Sequence, residues 1–250
     1  MQDNTPTLWR DHFPHPDGDD HKYTRGMVRI FGAPEMTGAT RLAASACARM
    51  GAGMVVVLCT AQTHDIYRRT LPAHIVVKPD LKWNDDRITA NLQGPGGLPQ
   101  ALQVYDAPNI LDAAALNDLP DALNHNTIVT PHEGEFERAF PDLKGSREER
   151  ALAAAREKDC IVVLKGHKTI IAAPDGRAVI NKNAPPTLAT AGAGDVLAGM
   201  IAGLAAQNMR PFEAACASVW IHGAAAEKSG AGLVASDLLE IIPSILQNFP

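Results

Sequence analysis

The sequence predicts an α/β fold with a mainly parallel central sheet between helical layers. Three observations carry this. Short continuous apolar runs, MVRIFG (27–32), MVVVLC (54–59) and CIVVLKG (160–166), lack polar alternation, as strands covered on both faces do. Stretches of helical composition separate these runs, and alternation of the two kinds builds a parallel sheet. The 250 residues hold no repeat of fixed period and no Ser/Gly-rich linker, so the expected division is a flexible segment over 1–20 and a single domain over 21–250.

Taken in order, MVRIFG reads as the first strand. TGATRLAASACARMGAG follows as a helix that Thr37 can cap, that its alanines favour, and that Gly51 and Gly53 stop. MVVVLC and HIVVK (74–78) are the next strands. Residues 87–108 carry a Gly/Pro cluster and room for one short helix. NILDA (109–113) and TIVTP (127–131) read as strands ending at polar residues. SREERALAAAREKD (146–159) is a helix opened by a capping box between Ser146 and Glu149. CIVVLKG is then followed by KTIIAAPDGRAVIN (168–181), a hairpin around Pro174, Asp175 and Gly176. Helices near 194–206, 211–228 and 236–247 complete the chain.

Composition narrows the function. The chain is 46% hydrophobic and 20% charged, as globular proteins are, and its net charge of -5 argues against nucleic-acid binding. No apolar run approaches the roughly 20 residues that cross a bilayer. The polar, acidic first twenty residues are unlike a signal or transit peptide. Cys47, Cys59, Cys160 and Cys216 form no C-x-x-C pair and lie in apolar or Ala-rich surroundings. They read as buried free thiols, which fits a cytoplasmic protein.

In such sheets ligands sit at the carboxyl ends of strands, so the polar strand ends are the places to search. In TLATAGAGDVLAGMIAGLAAQ (187–207), Val196, Leu197, Met200, Ile201 and Leu204 make one helix face that begins just after Asp195. Gly192, Ala193 and Gly194 would then form the turn into that helix. Helix N-termini have unpartnered N–H groups and a partial positive charge, and small residues let an anion approach them. Asp195 would stand beside that anion; the other reading is that it simply caps the helix. In TPHEGEF (130–136), His132 and Glu135 suit a polar ligand or a hydrated metal, or else an acid-rich helix start. In LKGHKTII (164–171), Lys165, Gly166, His167, Lys168 and Thr169 make a cationic turn that suits phosphate, or an ordinary solvated hairpin.

These three segments, in this order, resemble the ADP-dependent NAD(P)H-hydrate dehydratases of the ribokinase-like superfamily. Thr130 to Glu135 matches the family's T-P-H-x-G-E, Leu164 to Thr169 its L-K-G-x-x-T, and LATAGAGDVLAG (188–199) its L-A-T-G-G-[ST]-G-D-V-L-A-G. HKYTRGMVRIFGAPEMTGA (21–39), IHGAAAE and GLVASDLLEIIP extend the likeness over roughly 21–247. The resemblance implies repair of hydrated NAD(P)H with ADP, or ATP, as co-substrate and Mg²⁺ as the metal. It implies Asp195 as the base, with Lys165 to Thr169 and Gly192 to Gly194 on the nucleotide. It further implies Ala39, Gly96 and His132 on the hydrated cofactor, and Glu135 on Mg²⁺ through water. It also implies a homo-oligomer, commonly a tetramer, and a separate NAD(P)H-hydrate epimerase as partner, because the epimerase domain many relatives carry has no counterpart here.

The sequence also departs from the family pattern. Ala191 stands for a usual glycine and would be strained at positive φ. Ala193 replaces Ser or Thr, Ala33 a glycine, and Ala114 a second acid after Asp112, while the segment from Gly94 to Asn109 is short. Two rivals follow: an alcohol kinase of the same superfamily, and a nucleotide-binding relative without turnover.

Overall fold

The computed structural model describes residues 1–249. The strands are β1 (Gln2–Asp3), β2 (Met27–Phe31), β3 (Met54–Leu58), β4 (Val76–Lys78), β5 (Ile88–Gln93), β6 (Asn109–Leu111), β7 (Thr127–Val129), β8 (Ile161–Leu164), β9 (Thr169–Ala172) and β10 (Ala178–Asn181). They form a ten-stranded sheet in the order β1-β10-β9-β8-β7-β6-β5-β2-β3-β4. Pairing is parallel except at β9, which runs antiparallel to β8 and β10. The expected hairpin around Asp175 is thus present, and the α/β class with a mainly parallel sheet holds.

The helices are α1 (Thr37–Arg49), α2 (Ala61–Thr70), α3 (Glu133–Ala139), α4 (Arg147–Lys158), α5 (Ala193–Ala206), α6 (Pro211–Ser229) and α7 (Ala235–Leu246). Successive strand residues face opposite sides, so each strand feeds two cores. Ile110, Ile128, Val163 and Ile171 join α1, α5, α6 and α7 in the large core, while Leu111, Val129, Val162 and Leu164 join α3 and α4 in a second. The helix α5 lies unusually close to α1. A Cβ on Gly199 would stand 2.1 Å from the Ala43 carbonyl oxygen, and one on Gly203 2.7 Å from that of Cys47. On the β2–β3 side a third cluster, of Met27, Phe31, Val56 and Leu58, is covered by loop side chains including Trp83 and Tyr105 rather than by a helix.

Four expectations are corrected. Residues 87–108 contain β5 and no helix. The helix α2 was not foreseen. Thr37 is the first residue of α1, with Met36 at the cap position. The segment 1–20, expected to be poorly ordered, is held over residues 2–13. There β1 pairs with β10, and Asn4 donates to Asn181 Oδ1 (3.0 Å) and the Cys216 carbonyl (2.8 Å). Trp9 is fully buried, its ring centroid 5.0 Å from that of Phe249 and 6.0 Å from that of Trp220. Burying one indole and Phe13 outweighs a polar composition that by itself suggests disorder.

Candidate active site

Strands β6, β7 and β8 end side by side, and each delivers one charged group. After β6 comes Asp112, 2% exposed. Its Oδ1 accepts from Thr130 Oγ1 at 2.7 Å, and Lys165 Nζ lies 2.8 Å away. The parallel registers that align Leu111 with Val129 and Val129 with Val162 account for this meeting of residues 53 apart. Lys165 Nζ is also 3.7 Å from Glu135 Oε2. Burial pulls the Lys165 ammonium down, but Asp112, Glu135 and Asp195 outweigh it and hold the group above its ordinary value.

Asp195 reaches this cluster from α5. That helix starts at Ala193, three residues before the apolar face begins at Val196, so Asp195 is its third residue. It makes no cap bond; Gly192 is the cap residue, at φ 89°. The conformation favours glycine, and a Cβ there would also press on Leu42 Cδ1 at 2.6 Å and Ala235 Cβ at 3.0 Å. Ala191 is not among the residues at positive φ, and the strain conditional on that conformation does not arise. Burial, then the nearby Asp112 and Glu135 charges, push the Asp195 carboxyl up to about 6 against the opposing pull of Lys165. A carboxylate near neutrality in a cluster with a lysine is suited to proton transfer. Lys165 Nζ lies 3.3 Å from where a Cβ on Gly194 would stand, so Gly194 admits the ammonium against the turn.

His132 and Glu135 turn out to be both a cap and part of the site. Glu135 N–H donates to His132 Nδ1 (3.2 Å) and His132 N–H to Glu135 Oε2 (2.8 Å), a capping box that opens α3. Glu135 is buried, while the His132 ring is largely exposed at the cleft.

The cationic turn is built rather than solvated at random. Thr169 Oγ1 donates to the Gly166 carbonyl (3.1 Å) and lies 3.3 Å from Gly166 N–H, closing it. Arg147, at the start of α4, donates to the carbonyls of Lys168 (2.8 Å) and Lys165 (3.0 Å) and to Glu133 (2.9 Å). Sequence reading missed Arg147 and Asp112, and also Arg150, which pairs with Glu133 beside Arg147; the partners of all three are remote in sequence. Asp112 alone left a signal, as the surviving acid of a two-acid pattern.

A cleft of about 730 Å³ opens between the turn and α5. His132, Lys165, Gly166, His167, Thr169, Ala193 and Gly194 line it, together with the apolar Pro185, Leu188, Leu197 and Val219 and with His222, which lies against the Ala193 backbone. Lys168 is exposed and lies outside this lining. Gly192, Asp195 and Glu135 stand behind the lining rather than in it. Ala39 and Gly96 lie together a little further off: a Cβ on Gly96, which has φ +79°, would stand 2.9 Å from that of Ala39. Thr40 ties them by accepting from Ala33 N–H (3.0 Å) and donating to the Pro95 carbonyl (3.2 Å). This turn connects to the acids through Gly94, packed on the Asp112 carbonyl.

The chain is similar to known proteins over this whole arrangement. A family model described as NAD(P)H-hydrate dehydratase matches residues 27–247. The bifunctional NAD(P)H-hydrate repair enzyme of Salinibacter ruber is 35% identical over 98% of this chain and 52% of its own length. The chain thus spans about half the length of the bifunctional enzymes it matches. The ADP-dependent (S)-NAD(P)H-hydrate dehydratase of Neisseria meningitidis serogroup B is 36% identical, over 90% of this chain and 86% of that one. Among solved structures, the ADP/ATP-dependent NAD(P)H-hydrate dehydratase from Bacillus subtilis, co-crystallised with ATP/Mg²⁺, superposes with a TM-score of 0.86 at 29% identity, covering 100% of this chain and 99% of that one. A ribokinase-like superfamily protein from Enterococcus faecalis, at 22% identity and a TM-score of 0.85, shares the fold. With its acids, lysine and open helix start on a ribokinase-like sheet, the chain belongs to the NAD(P)H-hydrate dehydratase family.

Proposed function

We propose that this protein dehydrates the S-form of hydrated NADH or NADPH, restoring the reduced cofactor while ADP becomes AMP and phosphate. The observation that carries this is Asp195: an acid at an uncapped helix start, its pKa raised to about 6, facing a paired lysine. ADP is the first choice of nucleotide, and ATP the second, because the named relatives include both an ADP-dependent and an ADP/ATP-dependent enzyme.

The ring hydroxyl of the hydrate is a poor leaving group. Asp195 accepts its proton as the hydroxyl oxygen attacks the terminal phosphorus of ADP, and the bond from that phosphorus to the bridging oxygen breaks to release AMP. The C–O bond then breaks, inorganic phosphate leaves, and loss of a proton from the neighbouring ring carbon re-forms the double bond. Lys165 and the Gly194 N–H group offset the charge on the moving phosphoryl. Ala39, Gly96 and His132 hold the hydrated ring, and the turn Lys165 to Thr169, clamped by Arg147, holds the nucleotide.

No set of three acidic, His or Cys side chains among the described residues forms a metal cage. The two acids Asp112 and Glu135, both beside Lys165, fit Mg²⁺ as an ion that arrives on nucleotide phosphates and meets them through water. Glu135, with Asp112 beside it, would hold it there, where it would neutralise phosphate charge.

The same reading carries a cytoplasmic homo-oligomer, a tetramer, supplied with the S-form by a separate epimerase. Four buried free thiols support a reducing compartment. The one continuous sheet supports a single domain, into which β1 ties the N-terminal segment as well.

The test is turnover of prepared hydrated NADH and NADPH with Mg²⁺ and ADP or ATP, read by the returning absorbance of reduced nicotinamide. Recovery should need nucleotide and fall by about 10²–10⁴-fold in Asp195→Asn. A stable phosphorylated alcohol would instead favour the kinase, and nucleotide binding without product the inactive relative.

A further inference from the structure

The turn from Lys165 to Thr169 is held by a guanidinium that is itself held. Arg147 Nη1 donates to the Lys168 carbonyl at 2.8 Å, and Nη2 to those of Lys165 at 3.0 Å and Leu164 at 3.3 Å. Its Nε donates to Glu133 Oε2 at 2.9 Å, and Arg150 takes the other carboxylate oxygen. A guanidinium is a planar fork, so fixing Nε also fixes where the terminal nitrogens stand. Glu133 thus sets the plane from which Arg147 reaches the turn. Gly166 completes the fit. It is not among the residues at positive φ, so its backbone does not call for glycine. A Cβ there would stand 2.8 Å from Arg147 Nη2 and press the guanidinium away.

Glu133 is the first residue of α3, and an acid there suits the helix dipole by itself. That service needs no arginine, yet two from α4, one turn apart, converge on this carboxylate. The start of α3 is already sealed by His132 and Glu135. Glu133 is not among the residues lining the cleft, and it fills the position that T-P-H-x-G-E leaves open. Carbonyl oxygens repel phosphate oxygens, so a turn that takes phosphate needs its carbonyls engaged elsewhere. Arg147 engages three.

We propose that Glu133 is a positioning residue for nucleotide binding: acting through Arg147, it keeps the carbonyls of the Lys165–Thr169 turn engaged, so that the turn can receive phosphate. This rests on the proposed nucleotide dependence of the same cleft. The effect of Glu133 falls on the nucleotide and not on the hydrated cofactor.

A double-mutant cycle on the full chain tests this, with titration calorimetry of ADP and, separately, of inorganic pyrophosphate. Glu133→Gln should weaken both about fivefold and Arg147→Met about tenfold, and the double variant should lose no more than Arg147→Met alone. In turnover, Glu133→Gln should raise the KM for ADP and leave kcat and the KM for the hydrated cofactor within about twofold. In the wild-type protein, pyrophosphate should shift the ¹⁵Nε resonance of Arg147, and hydrated cofactor alone should not. That measurement decides the matter even if a variant fails to fold. Independent losses in the double variant, an unmoved Arg147 resonance, or a KM rise confined to the hydrated cofactor would overturn the inference. A wild-type protein that binds neither ADP nor ATP would sink the nucleotide reading itself, and this inference with it; ADP binding indifferent to Glu133 would sink this inference alone.

Discussion

The helices α4 and α5 begin in opposite ways, although both have an acid as their third residue. In α4 the acid is Glu149. It accepts from Ser146 N–H at 2.8 Å, and the Ser146 hydroxyl faces Glu149 N–H, so the start is sealed by its own side chains. The Ser146 backbone and hydroxyl bonds hold the Glu149 carboxyl below its usual value. In α5 the acid is Asp195, and Gly192 at φ 89° removes the extended cap geometry that a capping box needs. Asp195 is left to face Asp112, Glu135 and Lys165, and its pKa moves the other way. The same position in a helix thus yields a structural acid or a reactive one, according to what the preceding residue lets it touch. The helix α3 stands between them, since Glu135 seals its helix and still lies 3.7 Å from Lys165.

Three perturbations sharpen this contrast. The largest effect is expected at Asp195. As a base it must be ionised, so turnover should fall as pH drops through about 6. Stability should follow the opposite sign. The raised native pKa means that this group's contribution is present below 3.8 and is lost as pH rises through about 6. Asp195→Asn should therefore raise the melting temperature at pH 7.5 while abolishing the rate, and a mutant less stable than wild type would refute the burial argument. For Glu149 the contribution is present above its unfolded value of 4.5 and fades only as pH falls through its depressed native value.

The next effect is at the hinge of the contrast. Gly192→Ala forces a Cβ into left-handed backbone and against Leu42. It should cost about 1–2 kcal/mol in denaturant unfolding and weaken ADP in calorimetry. Wild-type stability and affinity would mean that the glycine is dispensable. The smallest effect is at the sealed start. Glu149→Gln should lower the melting temperature by about 1–2 °C and leave turnover unchanged. A substantial rate loss there would break the distinction between the two helix starts.

What could be read in the sequence follows the range of the forces involved. Ser146 and Glu149 are three residues apart, and their box was legible because it is local. The strands β2, β3 and β8 were legible because burial on both faces leaves an unbroken apolar run. The site's motifs were legible as turns at strand ends, but not the pairing of Asp112 with Lys165, which only the sheet brings about. The strand β5 was hidden because ITANLQ mixes polar residues into a buried strand: Asn91 holds Arg29 at 2.9 Å and Gln93 bonds the Gln103 carbonyl at 2.6 Å. The helix α2, AQTHDIYRRT, buries little beyond Thr63 and Tyr67 and has no strong apolar stripe to announce it. The order in residues 2–13 depends on Trp9 finding Trp220 and Phe249, contacts between opposite ends of the chain.

That last contact sets an order of events during synthesis. The strand β1 has no partner until β10 emerges more than 170 residues later, and Asn4 also waits for the Cys216 carbonyl. The groove that receives α5 is laid down early, on α1, yet Gly199 and Gly203 reach it late. Pairings of such long sequence separation close slowly. A chain that has not yet exposed residue 206 has all ten strands behind it and still lacks the complete helix that carries Asp195. Asp195 is therefore a late arrival, and a product cut short before α5 carries no such acid.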